Sequence, residues 1–199
     1  MSDLTIKHAG STVTQLRPGM KSDNNKLNDM QATTVDITAT LTGDGTSGDV
    51  MFVTTELPNA LAKKGGKAIL QSVTAILTDN STDASGTGSN CTGAFKLVFT
   101  SNSQVLGTVS DALGTRAVDG GGTGQIDNWS RAVLDDTSAI VDVTNVVDMG
   151  ELAVAHKSNI GAVVEAASDS RSLYVWGITN SANDYNGATI SLKIGLVQD

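Results

Sequence analysis

This 199-residue sequence predicts an all-β fold, an antiparallel β-sandwich preceded by an extended N-terminal arm, on three observations. Aromatic residues make up only 4% of the chain while Gly, Thr, Ser and Asn abound, the composition of strands joined by polar turns. Glu, Lys and Arg are scarce, so a helical bundle would lack its charged outer faces. Apolar residues recur with a period of two in several segments, which puts alternate side chains on opposite faces of a sheet. The two prolines, Pro18 and Pro58, leave the second half free of residues that block ladder hydrogen bonds.

The chain divides into an arm, residues 1–33, and a sandwich domain, residues 34–199. The arm has few large apolar groups, and its 21–31 stretch is polar without a period. A segment of this kind is ordered when a neighbour pins it. Its apolar residues Leu4, Ile6, Val13, Leu16, Met20, Leu27 and Met30 are therefore the candidates for partner contact.

Strand signals then follow in order. In residues 34–41, Val35, Ile37, Ala39 and Leu41 alternate with Thr34, Asp36, Thr38 and Thr40. The turn-rich 43–49 segment and a second strand over 50–57 make this a predicted hairpin. Residues 58–64 have room for one helical turn before Gly65 and Gly66, and 67–78 is the longest strand signal of the first half. After a polar loop over 79–93, the strand at 93–101 puts Phe95, Leu97 and Phe99 on one face, and 105–109 extends the sheet. Residues 110–128 are Gly-rich and read as a second long loop.

Asp135, Asp136, Thr137 and Ser138 form a capped turn leading to a strand over 139–147. Two shorter strands, 149–155 and 160–166, are expected either side of a turn at Lys157, Ser158 and Asn159. The last two strands, 173–179 and 188–197, read as a pair joined by a polar loop holding Asn183, Asp184, Asn186 and Gly187. The first has apolar groups on both faces, so it is central. The second sets Ile190, Leu192, Ile194 and Leu196 against Ser191, Lys193 and Gly195, the pattern of a half-exposed strand. Roughly nine or ten strands at this spacing point to a jelly-roll-like sandwich.

Several function classes are disfavoured. The net charge of −8 opposes nucleic acid as a partner, because that binding depends on Lys and Arg displacing counterions from phosphates. Cys91 is the single cysteine, leaving no disulfide within the chain and no zinc cluster of the usual kind. No apolar run approaches the roughly 20 residues that span a bilayer, so no membrane partner is expected. Three glycosylation-type tripeptides begin at Asn80, Asn90 and Asn128, but the first residues carry no apolar signal-peptide core. The expectation is a soluble protein made in a cytoplasm.

Candidate sites weigh towards structural roles. Asp79, Ser81 and Asp83 are spaced like the opening of a calcium loop, but Ala84 replaces the needed Gly and Asn90 the closing acid. Asp44 and Asp49 are weaker still. The GGGTG run at 120–124 lacks the Lys that completes a phosphate cradle. His8 and His156 are the only histidines, with no nucleophile motif to serve, and His156 reads as a turn residue. The Asp135–Asp136 neighbours read as caps rather than an acid–base pair. Trp176, inside a strand, reads as packing; Trp129, among polar loop residues, is the candidate for an exposed contact with a partner protein or, alternatively, with a glycan. No catalytic residue, metal or cofactor is expected.

From residue 67 onward the order of features resembles a family of small β-sandwich virion proteins of tailed bacteriophages. The resembling pieces are GGKAILQSVTAILTD, GAFKLVFTSN, LDDTSAIVDV, LAVAHKSNIGAVVEA and RSLYVWGITNSANDYNGATISLKIGLVQD. The last three are the most family-like: an acidic turn entering a strand, a Lys-x-Asn-x-Gly turn, and a Leu-Tyr-Val strand with an alternating carboxy-terminal strand. The resemblance implies a non-enzymatic capsid decoration (cement) protein that binds the major capsid protein on the virion exterior. It also implies a homo-oligomer, a trimer among the options. The long loops and the first 60 residues depart from the pattern, which keeps neck and tail structural proteins, and a carbohydrate-binding or adhesin module, as alternatives.

Overall fold

The computed structural model describes residues 5–8, 11–14, 31–41, 44–78, 91–104, 109, 135–149, 152–185 and 188–198. The strands, in chain order, are β1 (Thr5–His8), β2 (Ser11–Thr14), β3 (Gln31–Thr40), β4 (Asp44–Gly45), β5 (Val50–Leu57), β6 (Lys67–Thr78) and β7 (Phe95–Thr100). They continue as β8 (Thr137–Val143), β9 (Val146–Asp148), β10 (Leu152–Glu165), β11 (Leu173–Thr179), β12 (Asn183–Asp184) and β13 (Thr189–Gln198). Among the described residues only Asp135 and Asp136 are helical.

The architecture is all-β and antiparallel, as the composition implies. One sheet runs β3-β13-β6-β10-β9 and the other β5-β11-β7-β8. Taking the eight long strands in chain order, the first sheet holds the first, eighth, third and sixth, and the second sheet the second, seventh, fourth and fifth. That interleaving, with almost every connection crossing from one sheet to the other, is the jelly roll.

The core lies between the sheets. Leu70, Val73, Ala75 and Leu77 of β6 and Ile190, Leu192, Ile194 and Leu196 of β13 face Phe95, Leu97 and Phe99 of β7 and Leu173 and Val175 of β11. Each of these is at most 1% exposed. The period-two pattern of β13 thus survives intact, and β11 is central, flanked by β5 and β7.

Five expectations give way. Residues 34–41 and 50–57 do not form a hairpin: β3 pairs with β13 and β5 pairs with β11, in opposite sheets. The closing strands β11 and β13 are likewise not partners. Both connections instead arch between the sheets at the same end, where β4 and β12 pair with each other through Asn183–Gly45 and Asp184–Asp44. A loop of eight or more residues does not impose the tight reversal that would make consecutive strands pair.

The two strands expected over 149–166 are one, β10, interrupted where its register against β6 shifts between Ser158 and Ala162. Asn159 (φ 55°) and Gly161 (φ 70°) adopt the left-handed conformation there, so the turn-like residues build a bulge and the strand continues. His156 is consequently in a strand, not a turn. A matching shift in β6 places Gln71 between Leu70 and Ser72 opposite β13, and Gln71 Nε2 donates to Asn159 Oδ1 at 3.2 Å.

The 58–64 segment is irregular rather than helical, because Ala60 and Leu61 are drawn into the core. The Gln198 side chain holds it: the Ala62 amide donates to Oε1 at 2.7 Å, while Nε2 donates to Thr33 Oγ1 at 2.8 Å and to the Ala60 carbonyl at 3.3 Å. Residues 31–33, at the end of the segment read as arm, pair in β3 opposite Leu196, Val197 and Gln198. Of the loop expected at 79–93 only residues 91–93 are described, and of the strand expected over 105–109 only Val109, in a turn; the loop expected at 110–128 lies outside the described residues.

Candidate interaction surfaces

The outer face of the five-stranded sheet is built in cross-strand rows. One row aligns Asp36, Lys193, Thr74 and His156; the next aligns Thr38, Ser191, Ile76, Val154 and Val147. Side chains of one row are near neighbours. Thr38 and Ser191 hydroxyls lie 3.1 Å apart, and Thr74 Oγ1 lies 2.9 Å from His156 Nδ1. Thr38, Ser191 and Thr74, together with Ile76, Asp36 and Lys193, line a shallow groove of about 390 Å³. It is hydroxyl-rich, with one carboxylate and one ammonium.

Beside the groove the surface turns apolar. Ile76 is 38% exposed, Leu152 40%, Val147 59% and Met149 66%. Ile76 belongs to β6, Leu152 to β10, and Val147 and Met149 to β9 and the residues that follow it. A cluster of large apolar groups on one sheet face is informative where scattered single ones are not. Sequence reasoning missed it, although there was a signal: Ala75-Ile76-Leu77 is apolar on both parities, so one face had to carry Ile76 outward.

The outer face of the four-stranded sheet differs. Val50, Val98 and Trp176 point away from the main core yet are at most 3% exposed, with Val109 and Ile178 packed against them. Trp176 is therefore a packing residue, as its strand context predicts, and its indole Nε1–H has no acceptor among the described residues.

Asp136 was read as a cap for its own turn; its carboxylate instead gathers the chain leaving β7. Oδ1 accepts from Ser101 Oγ and from Asn102 Nδ2 at 2.9 Å, and Oδ2 accepts from the Asn102 amide at 3.0 Å and from Gln104 Nε2. Burial raises its pKa, but these hydrogen bonds together outweigh burial and hold the carboxyl below the usual aspartate value. Asp49, 7% exposed, accepts from the Thr46 amide at 2.7 Å and hydroxyl at 2.8 Å, fixing the arch that Thr179 also grips. This is turn chemistry.

Of the arm candidates, Ile6 and Val13 are register partners in the β1–β2 hairpin, the one apolar pairing among Thr5–Thr14, Lys7–Thr12 and His8–Ser11. Leu4, Leu16, Met20, Leu27, Met30 and Trp129 lie outside the described residues, as do Asp79, Ser81, Asp83 and the GGGTG run. Cys91 is buried. Among the described residues no three His, Cys, Asp or Glu side chains group as a metal site, and no helix is long and apolar enough to cross a membrane.

No family model matches the chain, and no curated protein does. Solved structures similar to it include those of viruses. The Triatoma virus empty capsid is 9% identical, with 85% of this chain and 88% of that one covered at a TM-score of 0.30. Black queen cell virus is 8% identical, with 100% and 84% covered at 0.32. Desmodium yellow mottle tymovirus is 13% identical, with 84% and 81% covered at 0.26. Likeness at this level does not establish shared ancestry or function; the jelly-roll assignment rests on the strand order above.

Proposed function

We propose that this chain is a non-enzymatic structural protein of a virion, acting as a capsid decoration protein bound to the major capsid protein on the outside of the shell. The observation that carries the reading is the exposed apolar cluster of Ile76, Val147, Met149 and Leu152 on a rigid jelly-roll body. Such a face is what a subunit of an assembly presents. The fold alone assigns no function, since jelly rolls serve capsids, lectins and enzymes alike. The sequence resemblance to phage virion proteins, strongest over β8, β10, β11 and β13, favours the first. The arm apolar residues Leu4, Ile6, Val13, Leu16, Met20, Leu27 and Met30, together with Trp129, make intermolecular contacts in this reading. The protein works as a homo-oligomer.

Mass spectrometry of purified particles from the source virus, followed by a density map, tests the proposal. The expected result is the chain present in many copies on the outer shell surface. Absence from particles overturns it, and a position in the neck or tail overturns the decoration role.

A further inference from the structure

We draw no further inference here: the strongest candidate, the exposed apolar patch of Ile76, Val147, Met149 and Leu152 on the outer face of the five-stranded sheet, carries nothing, because nothing in the structure shows whether the chain's own arm or a second copy covers it, and the exposed pair Ile69 and Val163 on the same face is its equal.

Discussion

Asp136 and Gly177 show how single residues hold the loops and sheets in register. Replacing Asp136 by Asn removes a charged acceptor from Ser101, Asn102 and Gln104 and is expected to lower stability at neutral pH by about 1–2 kcal/mol. Because its folded pKa lies below the unfolded value near 4, Asp136 stabilises above that value and loses the effect as pH falls through the folded one. Urea midpoints of wild type and D136N should converge below about pH 4. At Gly177 of β11, a Cβ would overlap the Phe52 ring and sit 3.2 Å from Met51 Cβ. G177A should cost about 1–3 kcal/mol by overpacking, and F52L in the same chain should recover part of it, as a double-mutant cycle in thermal melts would read. Neither residue was legible in the sequence. A cap and a strand glycine can be named from the residue types, but the partners that give them their roles, Gln104 and Phe52, come from distant segments.

At the scale of elements, strands were legible and their partners were not. β6 and β11 fall at the residues that alternation marks, because period-two burial is a local property. Which strands pair is decided by how the two sheets close on a common core, and so β3 with β5, and β11 with β13, looked like neighbours while belonging to opposite sheets. The same Lys-Ser-Asn-x-Gly chemistry builds a turn or a bulge, and only the ladder with β6 chooses. The bulge makes its own prediction. Gly161 has φ 70° with nothing within 4 Å of a Cβ, so the cost of Gly161→Ala is purely conformational, about 1 kcal/mol. Asn159→Gly, at φ 55°, relaxes the backbone but gives up the hydrogen bond from Gln71 Nε2, and should cost no more than about 1 kcal/mol in a urea titration.

For the whole molecule, the interleaved strand order means that most pairings join distant parts of the chain. Folding should therefore be slow, milliseconds to seconds or longer by stopped-flow fluorescence of the buried Trp176. Deleting residues 1–30 keeps β3 whole and should leave the melting temperature of the sandwich within a few degrees. A cooperative loss of the melt would show that the arm belongs to the body. The candidate site was only half legible: composition separates arm from body, but the patch draws on β6, β9 and β10, which only the fold makes adjacent.

Gln31 and Gln198 are register partners, so the first and last residues of the sandwich sit side by side at one corner. A peptide appended after Asp199 would emerge beside the root of the arm, crowding it, whereas the arch at 46–49 lies at the far end of the body. A cargo to be displayed without disturbing the arm therefore belongs at that far end, outside the Thr46–Asp49 hydrogen bonds that fix the arch. Conversely, a short linker joining the two ends would permit the chain to be reopened elsewhere as a circular permutant with the same body.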